Sequence, residues 1–310
     1  MLVSVSVSAR GQSFPFEQTV PVGAATVLDV ATERGRINVQ VGEPGHVVVK
    51  GTVSVRIGWN VPANAADLAK AAASHPPIEE EGATIRLRPP TDAAVRDAVT
   101  VAYDVLVPPD TTLISASDSG ATNVDGVRRA VSVRTQSGAI TLANLGGDGE
   151  VTSGSGSVAV RGVQRNLRVS TQSSGIVATD LSGSLYARTG SGRIHGSLNG
   201  REDVDVRTES STITLQGLNG SAVAHSDSGR ISLRGNPRLA WEISSGSGSL
   251  DIDLSADAPA MLDLTTKSGS IDVPPGLVTG HVDKRRVSGA IRGGGALVRV
   301  TSRSGSIRVK

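Results

Sequence analysis

The chain has 310 residues, of which 38% are hydrophobic and 2% aromatic, so its interior must be filled by Val, Ile, Leu and Ala; that suits a thin core between closely spaced sheets better than bulky globular packing. Thirty-one basic residues against 29 acidic ones leave a formal charge of +2, and the dense basic runs, Arg128-Arg129 and Lys284-Arg285-Arg286, are short, which excludes the broad basic footprint of a nucleic-acid binder. The absence of cysteine removes disulfides, Cys-ligated zinc and Cys nucleophiles together.

Met1 to Arg10 alternates Val3, Val5 and Val7 with Ser4, Ser6 and Ser8. That is the two-residue period of a strand, and no signal peptide is visible in it. No apolar run approaches the roughly 20 residues of a membrane helix, so no membrane span is expected in this chain. Residues 1–110 read as irregular β-rich coils, with strands expected at Val27 to Val30, Ile37 to Val41, Val47 to Ile57, Thr84 to Arg88 and Val99 to Val107. One helical insertion is expected near residues 64–74, with Asn64 as N-cap, Asp67 in its first turn and Pro76-Pro77 terminating it, covering part of the core.

Residues 111–310 are a repeat built on Ser-Gly-x-Ile. Its apolar anchor falls at Ile140, Val158, Ile176, Ile194, Ile213, Ile231, Leu250, Ile271, Ile291 and Ile307, and a serine stands three positions before each. Columns nine and seven positions before the anchor and two after it are mostly apolar, as in Leu167, Val169, Ile176 and Ala178; Trp241 falls in the first of them. Each coil of about 18 residues therefore holds two short strands joined by a Ser-Gly corner. The period and the helix breakers exclude helical repeats, leaving an all-β single-chain β-solenoid or a meander of hairpins; identical columns favour the solenoid, because each residue then stacks on its own equivalent. At the corner, Gly is expected to adopt positive φ and the preceding Ser to bond the backbone with its hydroxyl, so that Ser191→Ala should cost about 1 kcal/mol. A second hydroxyl column, Thr135, Ser153, Thr171, Thr189, Thr208, Ser226, Ser245 and Thr266, lies five before the anchor.

Candidate chemistry is sparse. His46, His75, His195, His225 and His281 have no metal-ligand spacing, and no Gly-x-Ser-x-Gly elbow accompanies the serines. Gly146-Gly147-Asp148-Gly149 has the look of a calcium-binding repeat but occurs once. Two outward ladders remain: Arg188, Arg207 and His225 six before the anchor, and Asp251 and Asp272 just after it, with Asp253 and Asp263 nearby. Paired carboxylates are the equipment of a polysaccharide hydrolase or a calcium site, whereas a solvated charged face is their ordinary role.

Gly35-Arg36-Ile37-Asn38-Val39, Tyr103-Asp104-Val105-Leu106-Val107-Pro108 and the recurring Thr-x-Ser-Gly-x-Ile, spread over about residues 25–310, resemble the bacterial putative-adhesin family of β-strand repeat proteins. The resemblance implies a β-solenoid exported to, or anchored at, the cell envelope, with no catalytic, cofactor or metal residues to transfer. The resulting expectation is a non-catalytic structural or interaction module outside the cytoplasm, in the periplasm or at the cell surface, that binds another surface molecule, protein or polysaccharide, or acts as a spacer, and binds no nucleic acid. Two alternatives stand beside it: a polysaccharide-active β-helix enzyme using the aspartates, and a filament former self-associating through an uncapped C-terminal edge at Ser304-Gly305-Ser306-Ile307.

Overall fold

The structure, a computed structural model, describes residues 12–56 and 61–310. The strand expected over Met1 to Arg10 lies outside the described residues. Two compact units divide the chain, Met1–Glu150 and Val151–Lys310.

The second unit shows the repeat most plainly. Ile176–Leu181, Ile194–Leu198, Ile213–Leu218, Ile231–Gly235 and Leu250–Leu254 lie side by side in a first sheet; Leu167–Thr171, Leu185–Thr189, Val204–Thr208, Ala222–Ser226 and Trp241–Ser245 lie side by side in a second. All of these neighbours are parallel, and the anchors are in register: Ile176 opposite Ile194, Ile194 opposite Ile213, Ile213 opposite Ile231. Parallel pairing between successive coils is the signature of a solenoid and excludes the hairpin meander, whose neighbours would be antiparallel. Inward columns are buried almost completely, with Ile176, Ile194, Ile213 and Ile231 at 0% exposure, so the core is a stack of aliphatic layers. Trp241 occupies its inward column and donates its indole N–H to the Gly220 carbonyl at 3.0 Å.

The corner differs from the sequence expectation in both of its residues. The serine three before the anchor is exposed in each copy from Ser137 to Ser247, and it contributes its backbone: Ser137 N–H donates to Asp118 O at 2.8 Å, Ser228 N–H to Glu209 O at 3.0 Å. The buried hydroxyl is the one five before the anchor. Thr135, Thr189, Ser226 and Ser245 accept from the amides of Gly138, Gly192, Gly229 and Gly248 at 2.9, 2.9, 2.7 and 2.9 Å, closing a three-residue turn. Thr189 Oγ1 also donates to Ser174 O of the preceding coil at 3.2 Å.

The corner glycine is needed for space rather than for positive φ. A Cβ on Gly192, Gly229 or Gly248 would stand 1.8, 1.6 or 1.8 Å from the carbonyl oxygen of the coil beneath. Left-handed backbone instead marks the opposite corner, four residues after the anchor, at Asp180 (φ 56°) and Gly217 (φ 75°) in this unit and at Asn144 (φ 54°) in the first. There the chain bulges and the next residue, Leu181, Leu218 or Leu145, turns back into the core.

The last copies depart from chain order. Ala296–Ser302 inserts between Trp241–Ser245 and Ala260–Thr266, and Ile307–Val309 between Leu250–Leu254 and Ile271–Asp272, all parallel and in register. The C-terminal coil is therefore an inner one, paired on both sides, and self-association through a C-terminal edge has no free edge there. The copy ending in Ile291 is not a coil: Arg286–Ile291 runs antiparallel to Ala260–Thr266 and forms a hairpin with Thr279–Val282. Its sequence carries the reason, since Lys284 stands where an apolar inward residue belongs.

In the first unit, Val27–Thr32 and Ile37–Val41 form a coil whose Ile37 pairs in register with Thr122 of the next, so Gly35-Arg36-Ile37 is a true early copy. On its other side this coil is flanked in parallel and in register by Thr84–Leu87 and Val99–Val107, Val27 standing opposite Thr84 and Ile37 opposite Tyr103, as by a further coil; the strands beyond Val99–Val107 in the sheet are not coils. Ser13–Pro21, His46–Val55 and Val99–Val107 form an antiparallel ribbon, in which Gly51 leaves room for the Phe16 ring that packs edge-on against Tyr103. Helix α1, Ala65–Ser74, covers this ribbon with Ala65 and Ala69 buried, and Asn64 precedes it without a side-chain cap. A second helix, α2 at Ala93–Ala98, was not expected; Asp92 caps it by accepting from Ala94 N–H at 2.8 Å.

Two stability measurements separate these roles. Thr189→Val strands the Gly192 amide and should lower unfolding free energy by about 2 kcal/mol, whereas Ser191→Ala should change it by less than about 0.5 kcal/mol, correcting the earlier expectation for that serine. Gly229→Ala should cost about 3 kcal/mol in the same chemical denaturation assay, because backbone of the adjoining coil must move.

Candidate functional site

With the inward positions filled, chemistry is left to the outward columns. On the first sheet of the second unit, residues just before, one after and three after the anchor face solvent on four adjacent strands: Thr212, Thr214 and Gln216; Arg230, Ser232 and Arg234; Asp251 and Asp253; Arg308 and Lys310. Together they line a groove of about 520 Å³.

Register dictates its electrostatics. Ser232, Asp251, Arg308 and Asp272 form one row, in that order, so the expected neighbours Asp251 and Asp272 are held apart by an arginine. Arg308 Nε lies 3.2 Å from Asp272 Oδ2 and its Nη1 4.0 Å from Asp251 Oδ1. Arg230 Nε lies 3.9 Å from Asp251 and donates to Ser249 Oγ at 2.9 Å; Arg234 Nε lies 3.2 Å from Asp253. Asp251 is thus shared between two guanidiniums at about 4 Å, within Coulombic reach of both and too far for a direct hydrogen bond to either. Arg230, Arg234 and Arg308 are exposed, and each keeps N–H donors directed at solvent.

Asp263 is outward on the second sheet and paired to Arg299 at 3.2 Å. Arg188, Arg207 and His225 are in-register neighbours on that sheet, so the basic column exists as a row. Arg207 is bound to Asp205 at 3.0 Å, which raises its pKa through that hydrogen bond, and His225 bridges Ser244 at 2.8 Å and Asp227 at 3.0 Å. Beside them Arg168 lies 5.0 Å over the ring of Tyr186. His195 stands opposite Thr214, in a different row from His225. Gly146-Gly147-Asp148-Gly149 is a corner, its Asp148 carbonyl accepting from Val131 N–H at 2.9 Å. Among the described residues no three His, Asp or Glu are grouped to hold a metal ion.

Sequence reasoning missed Arg230, Arg234 and Arg308. Arg230 and Arg234 recur at fixed distances from an anchor, one before and three after, as Arg193 and Arg161 also do. Arg308 was hidden by the break in chain order.

A narrower cleft of about 20 Å³ lies in the first unit among Glu33, Arg56, Pro89, Pro90, Arg96 and Tyr103. Its groups hold one another: Arg96 pairs with Glu33 at 3.2 Å, Arg56 donates to Asp97 O at 2.9 Å, and Tyr103, whose pKa burial raises, donates to Arg88 O at 3.2 Å.

Parallel coils, aliphatic layers and a hydroxyl-closed corner define a two-sheet β-solenoid. The chain belongs to the Toastrack DUF4097 family, which matches residues 100–310. Two solved structures align along nearly its whole length. One is of a putative adhesin from Bacteroides fragilis NCTC 9343 (12% identity, 99% of this chain and 100% of that one, TM-score 0.34). The other is of a putative cell adhesion protein from Clostridium sporogenes ATCC 15579 (10% identity, 96% and 99%, TM-score 0.21). No curated protein matches. Among the described residues no helix is long and apolar enough to cross a membrane.

Arg308→Gln should lower stability by no more than about 1 kcal/mol, with the difference shrinking in 1 M salt, since its partners are exposed ion pairs. Thermal melts of both proteins at low and high salt check this.

Proposed function

We propose that the chain is a non-catalytic interaction module, a rigid β-solenoid displayed at the cell surface whose outward columns meet another surface molecule. The observation that carries this reading is Arg308 between Asp251 and Asp272. A glycosidase pair needs one carboxylic acid kept protonated and its partner at a set separation across the substrate. Here a guanidinium stands between the two carboxylates, 3.2 Å from Asp272 and 4.0 Å from Asp251, and fills the place of the scissile bond.

The corner hydroxyls support the same reading from another side. Thr189, Thr135, Ser226 and Ser245 are buried and accept from amides of their own turns, so this hydroxyl column is structural. Residues 1–110 serve in this reading as the irregular part that carries the covering helices, and 111–310 as the repeats that present the surface. Placement at the surface rests on the likeness to adhesin-type β-repeat proteins.

Incubation with a panel of polysaccharides and ester substrates should give no turnover. Reproducible turnover that is lost in Asp251→Asn or Asp272→Asn would overturn the proposal.

A further inference from the structure

The groove on the first sheet of the second unit has more specific chemistry than a solvated face. Its lining residues come from four strands that are neighbours in the sheet, Ile213–Leu218, Ile231–Gly235, Leu250–Leu254 and Ile307–Val309, so it runs across the strands for about 14 Å, three strand spacings. Four cations, Arg230, Arg234, Arg308 and Lys310, line it against two carboxylates, Asp251 and Asp253. Between them the floor is hydroxyl and amide, Thr212, Thr214, Ser232 and Gln216.

We infer that this groove is a binding site for an acidic polysaccharide, the guanidiniums taking its anionic groups and Asp251 and Asp253 accepting hydrogen bonds from its hydroxyls. The inference rests on the interaction-module reading and names the partner of that surface. Three features select this class. The cations exceed the carboxylates, which favours an anion. The guanidiniums are held at their bases, Arg230 through Nε on Ser249 and Arg234 through Nε on Asp253, leaving terminal N–H groups for bidentate contact with a carboxylate. Carboxylate, amide and hydroxyl groups side by side offer acceptors that a bare polyanion such as polyphosphate would not use but a hydroxyl-rich chain would. Ladder spacing fixes all of these on a rigid sheet, so little ordering cost falls on the protein when it binds.

The test uses the full chain and polygalacturonate as probe, followed by calorimetry or affinity electrophoresis, with dextran as neutral comparator and polyphosphate as non-sugar polyanion. Reducing-end release is monitored in the same samples. Polygalacturonate should bind without cleavage, and dextran and polyphosphate at least about tenfold more weakly. Arg234→Gln and Arg230→Gln should each weaken binding about tenfold with unchanged melting temperature, and Arg188→Gln, on the other sheet, should leave it unchanged. Asp253→Asn is the sharpest arm: it should weaken binding if the carboxylate takes sugar hydroxyls, whereas mere charge attraction would make it bind more tightly. Tighter binding by Asp253→Asn, equal binding of polyphosphate, indifference to both arginine variants, or no binding to polygalacturonate would each overturn the inference and leave the non-catalytic reading standing. Cleavage of the polymer would overturn that reading instead.

Discussion

The repeat depends on how closely one coil lies on the next at the Ser-Gly corner. In the copies with glycine at the corner, the carbonyl oxygen of the adjoining coil occupies the space a side chain would need, 1.6 Å from a Cβ at Gly229 and 2.0 Å at Gly138. In those copies a side chain would force the backbones apart, whereas Ser174 and Ser211 hold the same position in two others; the close approach brings the serine amide onto the carbonyl of the adjoining coil. The buried Thr or Ser hydroxyl then closes the turn by accepting the glycine amide, so a sharp reversal in the chain leaves few polar groups unpaired. Once the corner is tight, the strands on either side are carried into register, and anchors stack on anchors.

From that register the surface follows. Outward residues one and three after the anchor cannot choose their neighbours; they receive them from the coils above and below. This is why Arg308, far from Asp251 in sequence, ends beside it, and why a row read as paired carboxylates is an alternation of acid and base. The same rule makes Arg188, Arg207 and His225 a row on the other sheet. Charge on a solenoid is organised by stacking order, and function at the surface is inherited from it.

Much of the fold was legible because the signal is repeated. Anchors, inward columns, Trp241 and the early copy at Ile37 could be read by alignment of the chain with itself. What failed was local physics with more than one solution. Glycine after serine suggested positive φ, but the left-handed residues are the Asn, Asp and Gly four after the anchor, a column that varies in identity and so is hard to see. Serine was credited with a hydroxyl bond that belongs to Thr or Ser two positions earlier. The order of the last coils was illegible for a different reason: which strand lies next to which is decided by long-range pairing, and only Lys284 in an apolar column hinted that the copy at Ile291 had left the stack. Arg308 and Lys310, the share of the groove that the last strand brings, were missed with it.

Native-state hydrogen exchange of the corner amides tests the close-stacking account most directly. If the corners are as tightly built as the strands, the amides of Gly192, Gly229 and Gly248 and of the serines preceding them should be protected to the level of strand amides such as Ile213 and Ile231, and should open with them in one cooperative unit. Corner amides that exchange at the rate of open loops while the strands stay protected would contradict it.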